Sequence, residues 1–314
     1  MTSRPDRLLL LDTPSLYFRA FHGIPDTITA PDGSPVNAVR GLLDFIARLV
    51  TDRRPTRLVA AMDNDWRPAF RVAAVPSYKA HRVATGNEVE VPDALAPQVA
   101  IIEDVLEALG VACFGVDGYE ADDVLGTLAT RDPGPVDVVT GDRDLFQLVD
   151  DARDVRIIYV ARGVGKAEAI DDAAVTAKYG IPGRAYADFA TLRGDPSDGL
   201  PGVAGIGDKT AASLITKYGD LAALLAAVEA GDRAMPAGAR TKLEAGRDYL
   251  SVAPMVVAVA KDAPLPPYDD AIPALPRDPD RLVELSQRWG LDSPLNRVLA
   301  AFAAVHAEEE SGGR

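Results

Sequence analysis

The chain has 314 residues, of which 47% are hydrophobic and 25% charged, so its composition is that of a globular protein and excludes a disordered one. The apolar runs are too short to span a membrane, the polar start lacks a secretory signal, and the single cysteine excludes an internal disulfide, so we expect a cytoplasmic protein without membrane contact. The net charge of −14 argues against a nucleic-acid ligand, unless many carboxylates lie together and hold metal ions.

Five short runs of leucine and β-branched residues predict buried parallel strands in the first half of the chain. These runs are Leu8–Leu11, Leu58–Ala61, Val111–Val116, Val136–Val139 and Val155–Val160. Helical patterns lie between them and include Ala94–Leu109, Tyr119–Ala129 and Leu145–Val149. This alternation predicts an α/β domain over residues 1–165, with a mostly parallel central sheet flanked by helices.

Alanine-rich helical patterns replace the strand signal beyond residue 165. They cover residues 171–179, 184–193, 208–218 and 220–230. We expect Val256–Ala260 to return a strand to the sheet, Pro264–Pro279 to cross the surface in an extended form, and residues 280–305 to form one or two last helices. The second predicted domain, residues 166–314, is therefore mainly helical.

Three of the predicted strands lead into an aspartate. Asp12 follows the first strand, Asp63 the second and Asp142 the fourth. Because the C-terminal ends of parallel strands share one edge of a sheet, where ligands bind, these carboxylates are predicted to converge. The alternative for each aspartate alone is a helix cap, but the coincidence of three favours a site.

A fourth acidic cluster lies in Gly118–Asp123. Asp117 and Glu120 have the spacing of a capping box, which gives these two residues a structural explanation. Asp122 and Asp123 are left without one, because acids in a first helical turn gain at most about 1 kcal/mol from the helix dipole. Packing them beside other aspartates costs more unless a cation lies between them. The cluster therefore predicts a divalent cation.

Two acidic pairs, Asp142 with Asp144 and Asp195 with Asp198, complete the set of candidate ligands. The second pair lies in a turn rich in glycine and proline, so a turn without bound metal is the alternative for it. The pairs bring the candidate metal ligands to nine carboxylates: Asp12, Asp63, Glu120, Asp122, Asp123, Asp142, Asp144, Asp195 and Asp198. Oxygen ligands suit Mg²⁺ or Mn²⁺ rather than zinc. Such a set is large enough for two ions about 3.5–4 Å apart, the arrangement that stabilises both oxygens of a phosphodiester displacement.

Positive charge concentrates directly after Asp63. Residues 66–87 contain no acid, and they contain Arg67, Arg71, Lys79 and Arg82. Because the segment follows Asp63, we expect it to overhang the same edge of the sheet and to steer phosphates towards it. A solvated basic loop is the alternative.

A glycine-rich hairpin precedes the predicted helix 208–218. It contains Gly202, Gly205 and Gly207, and it leads into the helix with Lys209 and Thr210. It is not a Walker loop, because an aspartate stands where that motif requires lysine and no strand precedes it. The free N–H groups of such a helix start can bind a phosphate backbone without reading sequence. A glycine-rich turn between helices is the alternative.

Together these motifs resemble the 5′ nuclease family, which comprises the flap endonucleases and the 5′→3′ exonuclease domain of bacterial DNA polymerase I. The matching segments follow the family order over roughly residues 6–300: Leu8–Asp12 with Tyr17–His22, Met62–Asp63 with Phe70–Arg71, Tyr78–Arg82, Gly118–Asp123, Thr140–Leu145, Gly194–Asp198 and Gly202–Ala211. Thr13, Pro14 and Gly199 depart from the family pattern, but no acid is missing.

The resemblance implies a site with two divalent cations, each served by its own group of acids. Those implied for the first ion are Asp12, Asp63, Glu120 and Asp122. Those implied for the second are Asp142, Asp144 and Asp198, with Asp122 bridging, while Asp123 and Asp195 would complete the shell.

The resemblance also implies two elements that bind DNA. An arch over about residues 66–95 would orient the scissile phosphate with Lys79 and Arg82. Three residues of the matching motifs are expected to join them in the catalytic set: Arg19, Arg71 and Tyr78. The hairpin resembles a helix–hairpin–helix element, within about residues 190–230, that grips duplex DNA and in the family often holds K⁺.

The function that these features predict is a metal-dependent, structure-specific 5′ nuclease. It would cut flapped, nicked or RNA-primed duplexes in replication and repair, and we expect a stand-alone monomer rather than a polymerase. An endoribonuclease with a similar acidic site would lack the glycine hairpin. A non-catalytic protein that binds DNA junctions would not need all nine acids.

Overall fold

A six-stranded sheet forms the centre of the computed structural model, which describes residues 6–83 and 92–312. Its strands are β1 (Leu8–Asp12), β2 (Arg57–Ala61), β3 (Ala112–Phe114), β4 (Val136–Thr140), β5 (Val155–Tyr159) and β6 (Glu168–Ile170). They lie in the order β3-β2-β1-β4-β5-β6, with every pairing parallel except the antiparallel pair of β5 and β6. The predicted mostly parallel sheet is therefore confirmed.

Helices cover both faces of the sheet and form the second half of the chain. The first group consists of α1 (Thr13–Gly23), α2 (Asn37–Arg53), α3 (Ala69–Ala74), α4 (Ala96–Leu109) and α5 (Ala121–Arg131). The second consists of α6 (Asp172–Tyr179), α7 (Tyr186–Arg193), α8 (Asp208–Tyr218), α9 (Leu221–Glu229), α10 (Ala237–Ala245), α11 (Arg247–Val257), α12 (Pro279–Trp289) and α13 (Asp292–Gly312).

Two apolar clusters, one on each face, bury the sheet. Leu8 and Leu10 of β1 belong to the cluster that includes α5 and the helices of the second half, up to α11. Leu9 and Leu11 point the other way, into the cluster with α2, α4 and α13. Consecutive leucines are required here because side chains of a strand alternate between faces, and both faces of this sheet are covered. Both faces of the sheet thus share their core with helices of the second half, and the predicted domain boundary at residue 165 stays a prediction.

Several elements differ from the sequence prediction. The predicted strand at Val256–Ala260 is wrong: α11 continues to Val257, and the next residues are held by side chains, with the Val259 N–H donating to Gln147 Oε1 (3.0 Å). Strand β6, which is short and largely exposed, and helix α10 lie outside every predicted element, and α11 was not predicted as a helix. The predicted helix at Leu145–Val149 is a 3₁₀ helix over Asp144–Leu148.

No single helix in the described parts of the chain is both long and apolar enough to cross a membrane. Helices α8 and α9 reach that length and composition only as a pair, and they are bent by 83° relative to each other.

Candidate active site

Neighbouring strands of the sheet deliver aspartates to one edge. Asp12 ends β1 and caps α1, since its carboxylate accepts hydrogen bonds from the Ser15 N–H (3.1 Å) and the Thr140 hydroxyl (2.6 Å). Asp63 follows β2 and accepts from the Ala121 N–H at the start of α5 (2.7 Å). The capping and the site interpretations are therefore both right for Asp12, because a carboxylate has lone pairs for a backbone N–H and for a second ligand.

A polar cavity of about 550 Å³ lies where these strands end. Of the nine predicted acids, five line it: Asp12, Asp63, Glu120, Asp122 and Asp142. Lys79 and Arg82 of the basic segment line it as well. The structure thus brings together the acids of β1, β2, β4 and α5 with the two cations that the sequence predicted beside them.

Mutual repulsion and burial shift the titration of this cluster. Burial raises the pKa of Asp12 to about 7, with further contributions from Asp63 and Asp142, although hydrogen bonds from Thr140 and Ser15 oppose the shift. Burial also raises the pKa of Asp122, and the charges of Asp12 and Asp142 add to the effect. Such groups exchange protons for a cation readily, because a dication stabilises the ionised form that burial and neighbouring carboxylates destabilise.

The donor set fits a hard divalent cation. All its acidic groups are carboxylates, which suit Mg²⁺ or Mn²⁺, and the cavity has room for water molecules as further ligands. Within the described residues, no three acidic, histidine or cysteine side chains already stand in an arrangement that encloses an ion.

Asp123 and Arg71 do not face this cavity. They form a buried ion pair with distances of 2.6 and 2.9 Å, and Arg71 Nε also donates to the Val256 carbonyl (3.1 Å). Asp123 accepts further bonds from the backbone N–H groups of Glu120 (3.1 Å) and Ala260 (2.7 Å). The oxygens of Asp123 accept these bonds within the core and neither side chain lines the cavity. The metal-shell role of Asp123 and the catalytic role of Arg71 stay predictions.

The ion pair instead joins α3 and α5 to the segment after α11, and it predicts a large effect on stability. Arg71→Ala should lower the free energy of unfolding by about 3–5 kcal/mol, because it leaves the buried Asp123 charge without a partner. Chemical denaturation measures the loss. The exposed pair of Arg48 and Asp52 on α2 gives the control: Arg48→Ala should cost less than about 1 kcal/mol. Equal losses in the two variants would contradict the assignment.

The start of α5 differs from the predicted capping box. Asp117 accepts from Asn64 Nδ2 (2.8 Å) instead of capping the helix, which begins after Glu120 with Asp123 bonded back to the Glu120 N–H. The acid three positions after the cap is therefore Asp123. This leaves Asp122 as the acid of the first turn that faces the cavity.

Glu120 is held from two sides by the basic segment. Lys79 Nζ donates to its Oε2 (2.8 Å), and the hydroxyl of the buried Tyr78 donates to its Oε1 (2.8 Å). Tyr78 is not among the residues that line the cavity. Tyr78 thus positions Glu120 in this structure, and its catalytic role stays a prediction.

Lys79 and Arg82 lie three residues apart but do not share an α-helix. Lys79 has a left-handed backbone (φ 48°) and precedes a 3₁₀ helix over Ala80–Arg82. Arg82 pairs with Asp198 Oδ1 (2.6 Å), while the Lys79 N–H donates to the Asp198 carbonyl (2.9 Å). Residues 66–83 thus pack on the Asp198 turn beside the cavity. Residues 84–91 of the predicted arch lie outside the described residues.

A second acidic group lies next to Asp142. Burial raises the pKa of Asp144, and the charges of Asp142, Asp198 and Asp195 add to this shift. Burial likewise raises the pKa of Asp198, although Lys79 and Arg82 oppose that shift. Neither Asp144 nor Asp198 lines the 550 Å³ cavity, so they form a neighbouring group beside it, where the resemblance implies the second ion.

The carboxylate of Asp195 bonds to residues of its own turn. Its Oδ1 accepts from the N–H (2.9 Å) and the hydroxyl of Ser197, and its Oδ2 pairs with Arg193 (3.3 Å). Asp195 therefore has a structural role in this turn, and its metal-shell role stays a prediction. Gly199 ends the same turn with φ 71°, and a Cβ there would lie 2.1 Å from the Ser77 carbonyl oxygen. This departure from the family pattern thus has a steric reason.

Arg19 lies behind the cavity wall. Its Nη1 donates to the Ala161 carbonyl (2.9 Å), and a Cβ on Gly141 would stand 2.9 Å from its Nη2. The guanidinium supports the loop that carries Asp142 and does not line the cavity. In this structure Arg19 thus supports the wall of the cavity, and its catalytic role stays a prediction.

Among the lining residues that were not candidates from the sequence, four are charged or aromatic: Phe18, Arg143, Tyr159 and Lys178. Two signals were available for them. Arg143 stands between Asp142 and Asp144, and Tyr159 is the last residue of β5, at the same sheet edge as the aspartates. Lys178 in the last turn of α6 had no comparable signal, because its position depends on how α6 packs.

The glycine hairpin connects α7 and α8 as predicted. Gly202 (φ 64°) and Gly205 (φ 77°) have left-handed backbones, and a Cβ on Gly202 would meet the backbone of Arg193 at 2.5 Å. Helix α8 begins directly after Gly207, with Lys209 exposed and Thr210 half-buried in its first turn. Lys242 Nζ donates to the Gly205 carbonyl (2.9 Å), which places a positive charge at the hairpin.

Comparison with protein families gives two consecutive matches. The model of the N-terminal resolvase-like domain of 5′-3′ exonuclease matches residues 7–180, and the model of the C-terminal SAM fold of 5′-3′ exonuclease matches residues 181–279. The chain belongs to the 5′-3′ exonuclease family. Its enzyme class, nuclease, is the one that the sequence predicted.

Curated relatives match most of this chain. A protein from Streptomyces coelicolor named 5′-3′ exonuclease is 58% identical, over 94% of this chain and 100% of its own length. One of the same name from Mycobacterium tuberculosis is 51% identical, over 94% and 97%. DNA polymerase I of Mycobacterium tuberculosis is 40% identical over 98% of this chain, which spans only 33% of the polymerase.

Solved structures show the same fold at low sequence identity. T5 5′-exonuclease with bound zinc superposes with a TM-score of 0.61 at 17% identity, covering 95% of this chain and 99% of the other. The catalytic core of Rad2 in complex with DNA substrate superposes with a TM-score of 0.57 at 16% identity, covering 96% and 93%. The predicted fold, an α/β sheet followed by a helical region, is therefore confirmed for this exonuclease family member.

Proposed function

We propose that this nuclease is a divalent-metal-dependent enzyme of the cytoplasm that cuts DNA with a free 5′ end, including 5′ flaps, nicked duplexes and RNA-primed duplexes. The observation that carries the proposal is the cavity in which Asp12, Asp63, Glu120, Asp122 and Asp142 converge beside Lys79 and Arg82. Two solved structures of the same fold, T5 5′-exonuclease with bound zinc and the catalytic core of Rad2 in complex with DNA substrate, support the same kinds of ligand here.

The carboxylates would hold the cations, which we propose to be Mg²⁺ or Mn²⁺. Two such ions supply Lewis-acid stabilisation of the attacking and leaving oxygens of a phosphodiester. We propose the group around Asp12, Asp63 and Asp122 for one ion and the group of Asp142, Asp144 and Asp198 for the other. Asp122 and Asp142 connect the two groups. Both line the cavity, and Asp142 Oδ1 also accepts a hydrogen bond from the Asp144 N–H.

Lys79 and Arg82 would bind the phosphate next to these acids. Their ammonium and guanidinium groups are the donors that the cavity offers on the side of Glu120 and Asp198. A phosphate placed there would replace Glu120 and Asp198 as the ion-pair partner of the two cations. These ion pairs hold Lys79 and Arg82 beside the acids before the substrate binds. Holding the scissile phosphate at a fixed place beside the acids lowers the barrier mainly through orientation.

The glycine hairpin and the start of α8 would bind the duplex backbone. Exposed N–H groups at the first turn of α8 and the Lys209 side chain are donors to phosphate without sequence preference. K⁺ at this hairpin stays a prediction.

Cleavage of a labelled substrate tests the function. A duplex with a labelled 5′ flap, incubated with the purified chain and Mg²⁺, should be cut near the junction, and EDTA should abolish the cut. Mapping the product against a nicked duplex and a blunt duplex separates flap cleavage from exonuclease action. Cleavage that persists in EDTA would contradict metal dependence. Binding of the flap duplex without cleavage would favour a non-catalytic DNA-binding protein.

Lys209 carries a separate prediction about binding. Lys209→Ala should weaken duplex binding equally for different sequences and should reduce the slope of log affinity against log salt by about one unit, because one phosphate contact is lost. Fluorescence anisotropy over a salt series measures the slope. Lys166→Ala, which removes an exposed lysine from another part of the fold, is the control and should leave the slope unchanged. An unchanged slope in the Lys209 variant would remove this side chain from the interface.

A further inference from the structure

The sheet has an open edge at β3. This strand pairs with β2 alone, and no other strand of the described chain lies on its outer side. The Phe114 carbonyl accepts from the Met62 N–H, so Phe114 directs its backbone groups to β2. Because these directions alternate along a strand, the N–H and C=O of Cys113 point outwards. They are free to pair with an added strand.

A groove of about 480 Å³ runs along this edge. Strand β3 and its flanking residues form the floor, α4 forms one wall, and residues 266–269 form the other. The Tyr268 ring, which is 43% exposed, lies 5.2 Å from the Phe114 ring and gives the second wall an aromatic surface. The groove therefore combines free backbone groups with an exposed apolar contact.

The first wall of the groove is acidic. Glu103 and Glu107 lie one turn apart on α4, and both are exposed. In residues 6–83 and 92–307, no side chain or backbone group forms a hydrogen bond or an ion pair with either carboxylate. Asp269 adds a third acid, against Arg277 as the cation of the lining. Such a wall repels the phosphates of DNA and attracts basic side chains.

The two walls belong to opposite faces of the sheet. Cys113 and α4 pack on the face that carries α2 and α13, whereas Phe114 packs on the face that carries α5. A strand added beside β3 would direct alternate side chains to these two faces. Basic side chains would then meet Glu103 and Glu107, and the apolar ones between them would meet Phe114 and Tyr268.

We propose that the β3 edge binds an extended segment of a partner protein in which basic and apolar residues alternate. The segment would add a strand to the sheet through the N–H and C=O of Cys113, with Glu103 and Glu107 selecting its charge. This surface uses none of the catalytic acids, so its role in attaching the nuclease to another protein is independent of cleavage.

A synthetic peptide tests the proposal. The probe is a fluorescein-labelled heptapeptide of alternating lysine and valine, titrated with the full chain and followed by anisotropy. We expect saturable binding, and at least tenfold weaker binding for two matched peptides. One has glutamate in place of lysine, and the other carries backbone N-methyl groups at alternate positions, which keep the side chains but block strand pairing.

Variants of the chain locate the binding. Glu103→Gln combined with Glu107→Gln should weaken binding of the lysine peptide by about tenfold, because two charge contacts are lost. The control pair Asp26→Asn and Asp262→Asn removes the same charge from exposed positions elsewhere and should leave the affinity unchanged. Hydrogen exchange should show slower exchange of the Cys113 amide in the presence of the peptide. Flap cleavage by the groove variant should equal that of the unmodified chain.

Three outcomes would overturn the proposal. The first is no saturable binding at millimolar peptide. The second is equal weakening by the groove pair and the control pair, which would show general attraction to an acidic protein. The third is binding that survives in the groove variant without protection of Cys113, which would place the peptide on the catalytic acids. None of these outcomes bears on the nuclease activity, which the flap assay measures separately.

Discussion

Replacing Asp122 by asparagine should lower cleavage at least a hundredfold while leaving flap binding largely unchanged. Asp122 lies in the first turn of α5, lines the cavity, and has a pKa raised by burial and by the charges of Asp12 and Asp142. Asparagine keeps the shape but removes the charge that holds the cations, so the loss falls on the chemical step. Single-turnover cleavage and anisotropy with a flap duplex, each in Mg²⁺, measure the two effects.

Stability distinguishes this loss from a damaged fold. At neutral pH the raised pKa of Asp122 means that its ionised form opposes folding when no cation is bound, so Asp122→Asn should be at least as stable as the unmodified chain in EDTA. Mg²⁺ should then stabilise the variant less than it stabilises the unmodified chain. Asp123→Asn is the matched contrast, because it removes the same charge one residue later but should destabilise the fold through Arg71. A near-normal rate of Asp122→Asn with either Mg²⁺ or Mn²⁺ would contradict the assignment.

The position of the site followed from the sequence because it depends on a topological rule. Asp12 and Asp63 each follow a run of buried residues, and parallel strands bring such positions to one edge whatever the loops do. The buried runs alternate with helical patterns, so the sheet and the edge were predictable together. The same rule would have found Tyr159 at the end of β5.

The roles of individual acids did not follow in the same way. Asp122 and Asp123 are adjacent and identical, yet one lines the cavity and the other bonds Arg71 in the core. Which of them points inwards depends on the residue at which α5 begins, and a shift of one position exchanges the two. The partner of Asp123 lies 52 residues away in the chain, on a helix of only six residues, so no local pattern reports it.

The basic segment shows a similar limit. Residues three apart would share one face of a helix, but Lys79 has a left-handed backbone and its ammonium turns to Glu120, away from that arrangement with Arg82. The segment is fixed by contacts with the turn at Asp198, including the bond from the Ser77 hydroxyl to the Gly199 carbonyl (2.7 Å). Both cations still reach the cavity, because that turn and α5 meet there.

The double change of Lys79→Ala with Arg82→Ala should lower single-turnover cleavage by about two orders of magnitude. These side chains are the cations that the structure places between the catalytic acids and the Asp198 turn, and their loss removes the groups that would fix the scissile phosphate. Flap binding should weaken far less, because the hairpin and Lys209 still hold the duplex. The control removes two positive charges elsewhere, with Arg162→Ala and Lys166→Ala, and should cut at the normal rate.

A titration with Mg²⁺ separates phosphate binding from the positioning of acids. Lys79 pairs with Glu120 and Arg82 with Asp198, so the double variant also frees two carboxylates. If the cations served only to hold these acids, saturating Mg²⁺ would take over their charge compensation and restore the rate. If they bind the scissile phosphate, the rate stays low at every Mg²⁺ concentration, because no carboxylate replaces a phosphate donor. We expect the second result, and a rate that returns to normal at saturating metal would show that the segment only supports the acids.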